Sequence, residues 1–112
     1  MKTLLQILIM TLTLSVSLSA QIFVTSPNGG EIWTVGENRK ITWTSHGATY
    51  VNILYSIDDG QNYSSIVDSV IASVKSFQWT IPNTPSTMCR VRVMNPGDPP
   101  FLDESNRHLG SK

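Results

Sequence analysis

The sequence predicts an all-β chain folded as an antiparallel sandwich. Short runs rich in Val, Ile, Thr, Trp and Tyr alternate apolar and polar residues with period two. That period turns one face of each run toward a core and the other toward water. Seven Gly and six Pro, with many Asn, Ser and Asp, punctuate these runs as turns. No stretch makes a good amphipathic helix. Together these features predict about seven short strands in a sandwich of the immunoglobulin or fibronectin type.

Residues 22–25 form the first run. Pro27-Asn28-Gly29-Gly30 then turns the chain, because Pro presets φ while Asn and Gly tolerate positive φ. Residues 32–35 follow and stop at Gly36. Residues 40–44 alternate with Ile41 and Trp43 inward, and His46-Gly47 turns the chain again. Val51, Ile53 and Tyr55 face one way, and Asn52, Leu54 and Ser56 the other. Asp58-Asp59-Gly60 signals a hairpin between 51–57 and 63–67. Residues 66–75 are too β-branched for a helix and read as a strand end and a loop. Phe77, Trp79 and Ile81 alternate with Ser76, Gln78 and Thr80 until Pro82, which cannot donate to a ladder, closes the strand. Cys89, Val91 and Val93 alternate with Arg90 and Arg92. The expected core is Val24, Trp33, Ile41, Trp43, Val51, Ile53, Tyr55, Phe77, Trp79, Ile81, Cys89, Val91 and Val93.

Ahead of these strands, one basic residue, Lys2, precedes an uncharged run from Leu4 to Leu18 rich in Leu, Ile and Met. Small residues follow at Ser17 and Ser19, as a signal peptidase requires. Residues 1–20 therefore read as a secretory signal peptide, cut after Ser19 or Ala20. At about 15 residues the run is shorter than the roughly 20 of a transmembrane helix, so no membrane span is expected after its removal. The domain is expected over 21–97, with 98–112 as an atypical tail. A formal net charge of zero in 112 residues leaves no basic surplus for nucleic acid. One Cys excludes an intramolecular disulfide framework and a Cys-rich zinc site.

Five strings occur in order: Ser26-Pro27-Asn28-Gly29-Gly30-Glu31-Ile32-Trp33, Ile41-Thr42-Trp43-Thr44-Ser45, Tyr55-Ser56-Ile57-Asp58-Asp59-Gly60, Trp79-Thr80-Ile81-Pro82-Asn83-Thr84-Pro85-Ser86-Thr87 and Cys89-Arg90-Val91-Arg92-Val93. Over residues 23–95 the chain resembles the immunoglobulin-like domain named after yeast cell-wall synthesis proteins of the Kre and Knh type. That domain occurs in fungal Ser/Thr-rich GPI-anchored surface proteins and in exported multidomain bacterial proteins. The resemblance implies a secreted or cell-surface β-sandwich, linked to cell-wall glucan in the fungal members, with no catalytic residues. Tyr63 stands where the family usually has Trp. The closing Asn-Phe-Thr-Ile-like strand of the family is absent from 103–112, so the last strand is expected to be missing or altered.

The remaining chemistry is sparse. His46 and His108 fall in a predicted turn and in the tail, no nucleophile motif accompanies them, and no enzyme activity is expected. Cys89 reads as a small core residue whose burial makes it a poor nucleophile. Asp58, Asp59 and Asn62 offer oxygen donors, but their spacing fits turn chemistry better than a calcium loop. Neither a metal nor another cofactor is expected. Sugar binding needs exposed, aligned rings, and the surface candidates are Tyr50, Tyr63 and Trp33. Arg90 and Arg92 point outward together, as a solvated strand face or as a small patch for an acidic ligand. Asn62-Tyr63-Ser64 is a glycosylation sequon that matters only in a eukaryotic secretory path. The expected role is a non-catalytic structural or protein-interaction module; the alternative is a module that binds cell-wall polysaccharide. A missing last strand would leave the strand carrying Cys89 to Met94 open to a strand from another chain.

Overall fold

The structure, a computed structural model, describes residues 20–97, 100–105 and 109–111. Residues 1–19, with the expected signal peptide, and His108 lie outside the described residues. The chain forms β1 (Gln21–Ser26), β2 (Ile32–Trp33), β3 (Asn38–His46), β4 (Tyr50–Ser56), β5 (Ser64–Ile71), β6 (Ser76–Thr80), β7 (Ser86–Asn95), β8 (Phe101–Glu104) and β9 (Leu109–Ser111). A short 3-10 turn, Ala72–Val74, links β5 to β6.

Two sheets pack face to face. The first runs β1-β3-β6. The second runs β5-β4-β7, and β8 and β9 share the far edge of β7 end to end. β2 lies parallel to β9 at the rim, and every other pairing is antiparallel. This is an immunoglobulin-like sandwich. The alternation read from the sequence sets the layers: Ile22, Val24, Ile41 and Trp43 of the first sheet meet Val51, Ile53, Val91 and Val93 of the second. The Trp43 indole N–H donates to the Ala72 carbonyl at 3.0 Å, so the 3-10 turn satisfies the one polar atom of the central ring.

Three expected core residues, Tyr55, Phe77 and Trp79, are only half-buried. The reason is position. β6 is an edge strand, so Phe77 and Trp79 face inward but are covered from one side only. Ile22, Ala72 and Pro27 join the core beyond expectation.

The largest correction concerns the tail. The sandwich does not end at 97, and the final strand is present in two pieces. β8 pairs with β7 from Arg92↔Glu104 to Asn95↔Phe101. Asp103 accepts the Val24 N–H at 2.8 Å and so ties the rim of the second sheet to β1. Ser105 is buried; its N–H donates to the Val91 carbonyl at 2.9 Å, and its hydroxyl accepts the Val91 N–H at 3.3 Å. The alternation was there, but its inward places are taken by Phe101, Asp103 and Ser105. A search for β-branched residues passes over it. The β7 edge is therefore occupied by this chain's own strands, not open to a partner's.

Edge β5 is interrupted twice. Its register to β4 shifts between Val51 and Ile53 and again between Ile53 and Leu54. Ser69 takes a left-handed φ of 58°, and its N–H donates to the Asn52 side chain at 2.9 Å. Such bulges and the exposed Asp68 blunt an edge against added strands.

Candidate functional site

The hairpin after β4 is built around one carboxylate. Asp58 accepts the Ser56 hydroxyl at 2.7 Å, the Asn62 N–H at 2.9 Å and the Asn62 side-chain amide at 2.7 Å. The Asn62 side chain, then the Ser56 hydroxyl, then the Asn62 N–H lower its pKa to about 2 against a weaker desolvation effect. Both oxygens serve the turn, as the turn-chemistry reading expects. Asp59 and Gly60 take left-handed φ values of 61° and 84°, a pair that bends a hairpin tightly. Asn62 is exposed at this tip. Among the described residues no three His, Cys, Asp or Glu side chains group as metal ligands.

This turn delivers Asp59 and Tyr63 to the outer face of the second sheet, where Arg90 and Arg92 project from β7. Arg90 Nε donates to Asp59 at 2.8 Å, and its Nη1 donates to the Ser105 carbonyl at 3.1 Å. Arg92 forms a two-pronged ion pair with Glu104, donating from Nε at 2.9 Å and from Nη2. The Arg92 guanidinium also lies 3.9 Å from the centre of the Tyr63 ring, a cation–π contact. Burial pulls Glu104 upward, but the hydrogen bonds from Arg92, the nearby Tyr63 hydroxyl and the charges of both arginines outweigh it and hold the carboxyl below its ordinary value. The Tyr63 hydroxyl is enclosed without a hydrogen-bond partner of good geometry, although Glu104 is near enough to act on its charge. Burial first, then Glu104, push its pKa up to about 12. The outward strand face thus carries guanidinium groups already matched by the chain's own carboxylates. The free acidic-ligand patch is not formed.

The three candidate rings do not share a platform. Trp33 is 5% exposed: the structure bears out its place in the expected core and removes it from the surface candidates. It meets Trp79 edge-on at 6.4 Å, and Trp79 leans on Tyr55 at 5.2 Å. These rings line a narrow apolar cleft with room for only about 10 Å³, beside Ile57 and Pro82. Tyr63 is half-buried beneath Arg92. Tyr50 is the exposed ring, 51% accessible, opposite Ile71 at 52%. Tyr50 and the residues before β5 sit at opposite ends of β4, about 17 Å apart at the usual strand rise.

His46 is exposed near Gln21, Phe23 and Thr44. Cys89 is buried, its thiol donates to the Ser86 carbonyl at 3.6 Å, and burial raises its pKa. That environment is the unreactive one expected. The partners that sequence reading missed are Glu104 and Ser105. The alternation of 101–105 was the signal that could have found them. No family model matches the chain, and neither a curated protein nor a solved structure matches it.

Proposed function

We propose that this chain is a secreted, non-catalytic sandwich module of the Kre and Knh type, with a structural or protein-interaction role at the cell surface or in the extracellular matrix. The five ordered strings and the leader-like first twenty residues support the family and the location. The outer face of the second sheet is the observation that carries the interaction role. Its arginines are neutralised internally, while Leu102 near them stays 42% exposed, and Tyr50 and Ile71 at the far end of β4 stay 51% and 52% exposed. Exposed apolar groups on a face whose ion pairs are already satisfied suit contact with a macromolecule better than capture of a free ion.

The test is fractionation of a host exporting the whole chain. The expected product begins at Ala20 or Gln21 by mass and is retained in the envelope or matrix fraction. Tyr50→Asp with Ile71→Asp should fold normally and move to the medium. An uncut product held in the membrane would defeat the location, and equal retention of the double variant would defeat the face. Glycan binding stays as a second reading because the Tyr50 ring is exposed. It requires saturable binding to β-glucans that Tyr50→Ala abolishes.

A further inference from the structure

Among the described residues, the sandwich leaves one sheet edge unguarded. β5 is bulged, β1 is tied to β8 through Asp103, and β2 is two residues long. β6 is different. It ends the first sheet, and its five residues Ser76-Phe77-Gln78-Trp79-Thr80 carry no charge, no Pro and no register shift against β3.

The backbone phase of β6 can be read from its neighbours. Ile81 donates its N–H to Glu37 and accepts the Gly36 N–H, both at 2.9 Å, so both its groups face the β3 side. The Lys75 carbonyl accepts the Trp43 N–H at 3.1 Å, on the same side. Antiparallel pairing alternates direction residue by residue. Phe77 and Trp79 therefore bond toward β3, and Ser76, Gln78 and Thr80 turn their N–H and C=O groups outward. Among the described residues no strand lies on that side.

These five residues are close to self-complementary about Gln78. We infer that the β6 edges of two copies of this chain pair antiparallel about a two-fold axis at Gln78. Gln78 then faces Gln78 of the second copy, Ser76 faces Thr80, and Phe77 faces Trp79. The outward groups of all three even-numbered residues meet their counterparts in about six interchain hydrogen bonds. Each Phe77 meets a Trp79 as a cross-strand aromatic pair on the inner face. That contact covers the sides of the two rings that the fold leaves half-exposed. The product is a continuous sheet, β1-β3-β6 joined to its own copy. The absence of charge on β6 means no like charges within the strand oppose the pairing.

The experiment is sedimentation of the whole chain over a concentration series, with amide exchange measured on the same samples and the N-terminus recorded by mass. Dimers are expected in the range of about 0.1–1 mM, since the interface is small. On dimerisation the amides of Ser76, Gln78 and Thr80 should slow about tenfold at nine-tenths dimer, while those of Phe77, Trp79 and Ile81 are slow throughout. Gln78→Pro removes an outward donor that β3 does not use, a change edge strands tolerate. Gln78→Lys keeps the donor but sets like charges face to face. Both should remain monomeric with an unchanged circular dichroism spectrum. A monomer at every concentration, a dimer that both variants preserve, or protection on other amides would each overturn the inference.

Discussion

At the scale of single residues, three polar side chains do work that their types do not announce. Ser105 supplies the acceptor for a buried N–H of Val91. Ser105→Ala leaves that donor unpaired and should cost about 1–3 kcal/mol in denaturant unfolding. Tyr63 presents the opposite case, an enclosed hydroxyl without a well-formed partner. Tyr63→Phe keeps the ring under Arg92 and should be neutral or stabilising by up to about 1 kcal/mol; clear destabilisation would show that the hydroxyl bonds Glu104 after all. Asp58 has a folded pKa near 2, below its ordinary 3.8. Its ionised form therefore stabilises the fold above that ordinary value, and the contribution is lost as pH falls from there toward 2. Asp58→Ala should unfold earlier than the parent at neutral pH, and the two denaturation midpoints should converge near pH 2. Sequence reading assigned Asp58 to the turn because Asp-Asp-Gly states its chemistry locally. It left Trp33 both in the core and among the surface candidates because β2 is too short to show a phase.

Elements were legible where alternation ran through apolar residues. β3, β4, β6 and β7 could be drawn from Ile41 and Trp43, from Val51 and Ile53, from Phe77 and Trp79, and from Val91 and Val93. β8 could not, because its inward side chains include a carboxylate that caps a neighbour's N–H. Its importance is testable. Asp103→Ala should cost about 1–2 kcal/mol and speed exchange of the Val24 amide, with little effect on amides of β4. Truncation after Gly97 should do more, since it strips the β7 edge, uncovers Val91 and removes the partner of Arg92. The expected result is a chain that aggregates or melts at a clearly lower temperature in a thermal scan.

Across the whole molecule, the fold class followed from spacing alone, while the site did not. Arg90, Arg92 and Tyr63 were found as separate outward residues. Their joining depends on Asp59 and Glu104, which arrive from a hairpin and from the last third of the second sheet. Contacts of that range leave no local signature. The ion pairs are partly exposed, so raising salt should weaken stability only modestly, by less than about 1 kcal/mol for each pair. A steep salt dependence in urea midpoints would mean that the Arg92, Glu104 and Tyr63 cluster acts as a network.

The hydrogen bond from Val24 to Asp103 spans 79 residues of chain. It joins β1 to β8 across the two sheets. The sheet rim cannot close until the chain from β1 through β8 has left the ribosome, and contacts of such long range slow folding. In the secreted module proposed above, that delay would let a threading translocase meet a chain whose sandwich has not yet locked.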